Sequence, residues 1–187
     1  MGSVPTIDLG PARRGDPEAR RATARRIDEA CRDIGFFAIA GHGVPEPLVR
    51  QLREDAHEFF ALPLGDKLAA QHPRPGTPRG YHALAGEALA RAGGQPAPPD
   101  LKEFFHVGPV DVTDDPYFTS ERGRQFFLPN VWPARPPRFR ESATAYYRTM
   151  DGLVVFLMRL AALALGLPEA YFDDKVAHSI GTMRLNY

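Results

Sequence analysis

The longest regular pattern in the sequence predicts a single helix between positions 138 and 165. Its apolar side chains recur at alternating steps of four and three, at Phe139, Ala143, Tyr146, Met150, Leu153, Leu157, Leu160 and Ala164. This spacing places them along one face of an α-helix, and Gly166 follows as a stop signal. A helix of this length needs a large apolar surface to pack on, so the rest of the chain must provide it.

Several shorter elements are predicted around the long helix. Period-two patterns and apolar runs predict strands near positions 4–9, 36–41, 79–84 and 102–108, and amphipathic or proline-initiated segments predict helices near 16–34, 48–60, 63–71 and 168–176. The stretch from 72 to 100 is rich in proline and glycine, which is typical of a long loop. Within it, residues 86–92 could form a turn of helix. The sequence therefore predicts an α+β fold.

The last seven residues, GTMRLNY, alternate in polarity. Met183, Leu185 and Tyr187 are apolar or aromatic, and polar residues lie between them, which predicts a half-buried strand. A strand needs neighbours for its backbone hydrogen bonds. No later segment supplies one, so we expect this strand to have no neighbour and the sheet to be cut short.

Composition excludes several classes of partner. Lys plus Arg and Asp plus Glu both total 23, giving a net charge of zero, so we expect no nucleic-acid or membrane partner. The chain opens without a secretory signal pattern, and its longest apolar run, 160–167, is far too short to span a bilayer. A cytoplasmic location is expected. The single cysteine, Cys31, is predicted to be a small core residue of the first long helix.

Local motifs give little catalytic signal. None of the six histidines is followed two positions later by Asp or Glu, and no Cys pair or His-Glu-x-x-His motif exists. A metal could still assemble from distant residues. The stretch GHGVPE after FFAIA resembles the opening of a dinucleotide-binding fingerprint, but Glu46 stands where the third glycine belongs. His42 in this stretch is predicted to be a structural turn residue.

Five segments occur in an order that resembles a known family. They are VPTIDLG, ACRDIGFFAIAGHGVPEPLVRQL, RGYHALAGEAL, DLKEFFHVGP and MRLNY. Together they resemble the isopenicillin N synthase-like family of Fe(II)/2-oxoglutarate-dependent dioxygenases. The resemblance implies an N-terminal helical region followed by a double-stranded β-helix, or jelly roll. It divides the chain into a non-haem dioxygenase N-terminal region, 1–120, and a segment with the long helix and first strand of an incomplete barrel, 121–187.

The resemblance also implies which functional residues are missing. In this family the iron ligands, His-x-Asp and a later His, follow the strand that corresponds to MRLNY, as does the Arg-x-Ser pair that holds 2-oxoglutarate. Residues 140–142 spell Arg-Glu-Ser but lie at the head of the long helix. The full-length relative would bind Fe(II) and 2-oxoglutarate and oxidise a small organic substrate. This chain is expected to bind neither cofactor, to contain no catalytic or metal-ligating residue and to be inactive alone.

One wall of the substrate or cosubstrate site is expected to remain. The residues that the resemblance places there are Arg79, Tyr81, Glu87, Arg184, Asn186 and Tyr187. Arg79 would face a substrate carboxylate, for which a guanidinium is suited. The alternatives are a solvent-exposed loop arginine at position 79 and ordinary strand alternation from 184 to 187. Lys102 and Glu103 are expected to pair or cap rather than catalyse.

Two functional hypotheses follow. The first is the N-terminal portion of an Fe(II)/2-oxoglutarate oxygenase in a shortened form, and the second is a non-catalytic interaction module derived from that family. An interaction module should carry polar residues where missing strands would pack. Met183, Leu185 and Tyr187, together with Leu153, Leu157 and Leu160, are instead expected to form an apolar seam. That seam favours the first hypothesis and predicts self-association through an open barrel edge.

Overall fold

The computed structural model describes residues 3–84 and 101–187. Its helices are α1 Gly10–Arg13, α2 Pro17–Asp33, α3 Glu46–Phe60, α4 Leu64–Leu68, α5 Pro116–Thr119, α6 Gly123–Phe126, α7 Phe139–Ala164 and α8 Asp173–Val176. Its strands are β1 Thr6–Asp8, β2 Ala38–Ala40, β3 Gly80–His82, β4 Phe104–Val107 and β5 Met183–Asn186. The mixture is the α+β fold that the sequence predicts, and α7 matches the predicted long helix. The short helices α1, α5 and α6 were not predicted.

The first of two compact units contains Met1–Pro45 and Thr149–Ser179. Here β1 pairs with β2 in parallel, and Ile7 lies opposite Ile39. The Asp16 side chain accepts a hydrogen bond from the Glu18 amide at 3.0 Å and so caps α2. The core of this unit consists of Ile7, Leu9, Ala12, Ile27, Ala30, Leu153 and Leu160.

Three predictions in this unit are wrong. Cys31 is exposed, because the buried stripe of α2 follows Ala24, Ile27 and Ala30 and leaves Cys31 to one side. The predicted buried strand at 36–41 shrinks to β2, and Phe36 is 71% exposed. The predicted seam grouped Leu153 and Leu160 with Met183 and Leu185, but Leu153 and Leu160 belong to the core of this unit and the other two pack against a separate core cluster.

The second unit contains Glu46–Arg148 and Ile180–Tyr187. Its sheet has the order β3-β4-β5, with both pairings antiparallel. Phe105 lies opposite Tyr81 on one side and Leu185 on the other. The prediction that the last strand lacks a neighbour is therefore wrong, because β4, which comes long before β5 in the sequence, supplies the pairing.

Aromatic side chains form the core of the second unit around Phe59 of α3, which is fully buried. Its ring centroid lies 5.2 Å from Phe60, 5.8 Å from Tyr81, 5.2 Å from Phe105 and 5.3 Å from Phe139. These are the separations of favourable edge-on and tilted aromatic contacts. The helices α3 and α7 thereby pack on one face of the sheet.

No helix in the described part of the chain is both long enough and apolar enough to cross a membrane. The predicted turn of helix at 86–92 lies outside the described residues. His42, which the sequence predicts to be a structural turn residue, lies between β2 and α3, and its Nδ1 accepts a hydrogen bond from the Val44 amide at 3.1 Å.

Replacing Phe59 with alanine should strongly destabilise the second unit. The substitution opens a cavity among four aromatic rings, and we expect a loss of about 3–5 kcal/mol in the free energy of unfolding. Phe36→Ala is the matched control, because its ring is mostly in solvent and should cost less than about 0.5 kcal/mol. Urea unfolding followed by circular dichroism gives the free energy of unfolding of both variants. Equal losses for the two variants would contradict the described core.

Candidate functional site

The three-stranded sheet has two chemically different faces. Because side chains alternate along a strand, Tyr81, Phe105 and Leu185 point to one face, where they join the aromatic core. We call this the core face. The opposite face carries His82, Phe104, His106, Arg184 and Asn186, and we call it the histidine face.

Contacts on the histidine face centre on Phe104, which is 2% exposed. The His82 ring stacks on it with centroids 4.5 Å apart and an interplanar angle of 16°. The guanidinium carbon of Arg184 lies 3.6 Å from the centre of the same ring. His106 completes the group, with its ring 5.0 Å from both His82 and Phe104. Two histidines and one arginine are thus gathered around one phenylalanine.

This register divides the predicted site residues. Arg184 and Asn186 lie on the histidine face, whereas Tyr81 and Tyr187 lie on the core side. The Tyr187 ring stacks on Phe60 at 5.0 Å and 15°. Glu87 lies outside the described residues. One strand face therefore brings together only part of the predicted set.

Arg79 is buried rather than on the loop surface. It is 2% exposed, and its Nε, Nη1 and Nη2 donate hydrogen bonds to the carbonyls of Leu128, Pro78 and Phe126 at 3.1, 2.7 and 2.8 Å. A side chain on Gly108 would overlap the guanidinium. Burial lowers the pKa of Arg79. These contacts connect the segment before β3 to the end of α6 and to the loop that follows it.

A buried polar network lies beside the core face. Lys67 of α4 donates hydrogen bonds to both carboxylate oxygens of Glu103, at 2.9 and 2.8 Å, and to the Phe60 carbonyl at 3.0 Å. The Tyr81 hydroxyl donates to the same carboxylate. Both charged side chains are almost buried, with 11% and 12% of their surface exposed. The prediction that Glu103 pairs rather than catalyses agrees with this geometry.

Glu103 also sets the position of β5. Its backbone exchanges two hydrogen bonds with Tyr187, at 3.2 and 2.9 Å. Hydrogen-bonded pairs alternate along an antiparallel ladder, so Leu185 and Met183 also bond to β4. The backbone groups of Arg184 and Asn186 therefore point away from β4, toward the outer edge of the sheet.

A groove of about 480 Å³ runs along this part of β5 on the core side. Its walls come from α3, including Leu52, Ala56 and Phe60, and from all four residues of β5 together with Tyr187. Tyr146 of α7 adds to the lining. Within the described residues, β5 is an edge strand of the sheet, and apolar side chains border it on this side.

The described residues do not fit an iron centre. They contain no group of three or more His, Cys, Asp or Glu side chains placed to hold a metal ion. A non-haem iron site of this class needs two histidines and a carboxylate. His82 and His106 are adjacent, but the strand residues of their face include no carboxylate. No catalytic step through iron can be derived from these residues.

His82, Phe104 and His106 were not among the predicted site residues. Neither histidine lies in a short metal-ligand motif. The signal that could have found them is the alternation in KEFFHVG, which puts Phe104 and His106 on one face. Adding His82 requires the register between β3 and β4, which the sequence does not provide.

Comparisons with known proteins identify the family of the chain. Residues 4–135 match the family model described as non-haem dioxygenase in morphine synthesis N-terminal. The chain is 36% identical to validamycin A dioxygenase of Streptomyces hygroscopicus subsp. limoneus, covering all of this chain and 50% of that protein. It is 34% identical to isopenicillin N synthase of Streptomyces microflavus, covering 92% of this chain and 50% of the synthase. The chain therefore belongs to the isopenicillin N synthase-like family of non-haem Fe(II)/2-oxoglutarate dioxygenases.

Solved structures show the same fold. A 2OG-Fe(II) oxygenase family protein from Caulobacter crescentus superposes with a TM-score of 0.80 at 23% identity, covering 100% of this chain and 56% of that one. A full-length Neurospora crassa protein in complex with alpha-KG gives 0.76 at 24% identity, covering 98% and 54%. The chain spans about half the length of the curated relatives it matches.

Removing the lysine from the buried network should destabilise the protein. Lys67→Met leaves the Glu103 carboxylate nearly buried beside Tyr81 alone, and we expect a loss of about 3–5 kcal/mol in the free energy of unfolding. Adding Glu103→Leu to that variant should recover part of the loss, because it removes the uncompensated charge. Urea unfolding gives the free energy of unfolding of the unchanged protein, of Lys67→Met and of the double variant.

Arg135→Met is the control for this experiment. It breaks an ion pair of 2.7 Å with Asp66 in which both side chains are largely exposed, at 62% and 45%. Exposed pairs contribute at most about 1 kcal/mol. If Lys67→Met lowers the free energy of unfolding no more than Arg135→Met does, the result would contradict the buried network.

The same network predicts an alkaline pH dependence. Burial, followed by the hydrogen bond to Glu103, raises the pKa of Tyr81 above its ordinary value of 10.0. Above about pH 10 the unfolded chain releases this proton and the folded chain keeps it, so stability should fall as pH rises. Tyr81→Phe removes this contribution, and its unfolding free energy should fall less steeply between about pH 9 and 11. If the unfolding free energies of the unchanged protein and of Tyr81→Phe fall in parallel over this pH range, the raised pKa of Tyr81 is refuted.

Proposed function

We propose that this chain forms the helical region and first barrel strands of an Fe(II)/2-oxoglutarate-dependent oxygenase that oxidises a small organic molecule. The match of residues 4–135 to the dioxygenase N-terminal model carries the proposal. The relatives' length supports it further, since this chain covers about half of each. The metal ligands and the residues that hold 2-oxoglutarate then come from polypeptide outside these 187 residues. Alone, the chain is inactive, and its location is cytoplasmic.

The contribution of this chain is one wall of the substrate site. In the complete enzyme, bound Fe(II) and 2-oxoglutarate would activate molecular oxygen, which is the oxidant, and 2-oxoglutarate would be converted to succinate and carbon dioxide. The histidine face, with Arg184 and Asn186, binds and orients the organic molecule, and Phe104 excludes water beneath it. The full-length Neurospora crassa protein has also been crystallised with thymine, a small organic molecule, which supports this substrate class.

The groove beside β5 receives the remainder of the barrel. An added strand would lie beside β5 and place alternate apolar side chains against Leu52 and Phe60. Without that strand, the same edge is a template for association with a second copy. We therefore expect the isolated chain to self-associate and to bind a hydrophobic dye.

A chimera tests the proposed function. Residues 1–187 are joined to the second half of validamycin A dioxygenase, the half that this chain does not cover. We expect the chimera to be monodisperse by size-exclusion chromatography and to form succinate from 2-oxoglutarate only when Fe(II) is present. The 187-residue chain under the same conditions should form no succinate above a reaction without protein.

Two results would count against the proposal. Succinate formation by the isolated chain would place the metal site within it. A folded, monodisperse chimera that binds neither Fe(II) nor 2-oxoglutarate would favour the second candidate, a non-catalytic interaction module that uses the groove beside β5 to bind a partner. A sharp thermal transition of a monomeric 187-residue chain would favour the same candidate.

A further inference from the structure

The second unit contains a further cavity, of about 750 Å³, between the segment before β3 and the helices α5 and α6. Its lining comes from residues 74–78 and from residues between 119 and 128. This volume lies in the range of pockets that hold small molecules. The cavity shares no residue with the histidine face or with the groove beside β5. An oxygenase function assigned to those two surfaces therefore does not use it.

Two arginines line this cavity, one from each of the segments that form it. Arg74 belongs to the segment before β3 and Arg124 to α6, and both side chains are exposed. Thr77 and Gln125 add a hydroxyl group and an amide to the lining. All four side chains carry N–H or O–H groups that can donate hydrogen bonds to the oxygens of an anion.

Positive charge exceeds negative charge in the lining. Among the described residues that line the cavity, Glu121 is the one carboxylate, against two guanidinium groups. Neither Arg74 nor Arg124 forms an ion pair with Glu121 or with any other acid that the structure describes. Both guanidinium groups are thus available to a ligand, and an anion is the partner that such walls favour.

A third arginine lies directly behind the wall of the cavity. Arg79 is 2% exposed, and it donates hydrogen bonds to the carbonyls of Pro78 and Leu128, which both line the cavity. In the part of the chain that the structure describes, no carboxylate forms an ion pair with this guanidinium. A buried charge without a counter-ion is costly, and an anion on the other side of the wall would lower that cost.

We propose that this cavity binds a phosphate group. Arg74 and Arg124 contact the phosphate oxygens, because a planar guanidinium can donate two parallel hydrogen bonds to a phosphate. A carboxylate offers two oxygens and one charge, whereas a phosphate monoester offers three oxygens and almost two charges, which suits two guanidinium groups better. The positive charge of Arg79 adds to the attraction through the wall. Two sources can supply the group: free phosphate and the phosphate monoester of a small organic molecule.

Ligand-observed NMR on the 187-residue chain tests the cavity without any turnover. Inorganic phosphate, detected through phosphorus, is the probe for the free ion. Glycerol phosphate is the probe for a monoester, and glycerol is its uncharged match. We expect a phosphate probe to bind, and glycerol to bind at least about tenfold more weakly than glycerol phosphate. Signals of the small molecules remain readable when the protein self-associates.

Variants of the lining residues identify the binding groups. Arg74→Gln and Arg124→Gln should each weaken phosphate binding by about tenfold or more, because each removes a charged donor. Glu121→Gln should strengthen binding, because it removes the carboxylate that repels the anion. Arg122→Gln makes the same change in charge at the exposed N-cap residue of α6, which does not line the cavity, and should leave binding unchanged. Circular dichroism establishes that each variant is folded.

Each outcome has a defined meaning. Phosphate binding that both Arg74→Gln and Arg124→Gln weaken, and that Arg122→Gln does not, supports the inference. Tighter binding of glycerol phosphate than of inorganic phosphate then assigns the cavity to a monoester, and the reverse order or equal affinity assigns it to the free ion. The inference is overturned if no phosphate probe binds, if glycerol binds as well as glycerol phosphate, or if either arginine variant leaves binding unchanged. An equal loss for Arg122→Gln, or weaker binding by Glu121→Gln, also overturns it.

Discussion

The buried ion pair between Lys67 and Glu103 is the interaction on which the arrangement of the second unit depends. It joins α4 to the start of β4, and Tyr81 adds β3 through the same carboxylate. The backbone of Glu103 in turn holds the end of β5 through Tyr187. A charged pair this deeply buried is costly unless all its groups are satisfied, so the network tolerates few alternative registers. The register then decides which side chains reach each face.

Local patterns in the sequence were sufficient to predict most of the helices and strands. The steps of four and three predict α7, and the Asp16-Pro17 start predicts α2, because each depends on neighbours within a few turns. The partner of β5 could not be predicted in this way. Its pairing with β4 joins segments far apart in the sequence, and only the folded chain brings them together.

The candidate site illustrates the same limit. The resemblance places Arg184, Asn186 and Tyr187 together, yet adjacent strand residues point to opposite faces. Tyr187 consequently stacks on Phe60, while Arg184 contacts Phe104. Residue type alone also could not separate Arg79 from Arg184, because burial and carbonyl contacts distinguish them. Family membership thus indicates the chemistry, and the sheet register indicates which residues of this chain can take part in it.

The central claim is the register of β5 against β4, and cross-strand NMR contacts measure it most directly. In an antiparallel pair, the α-protons of residues that do not exchange hydrogen bonds lie close together. The described register predicts such contacts between Phe104 and Asn186 and between His106 and Arg184. Contacts from Phe104 to Leu185 and from His106 to Met183 would mean a slip by one residue. That slip would move Arg184 to the core face and contradict the account.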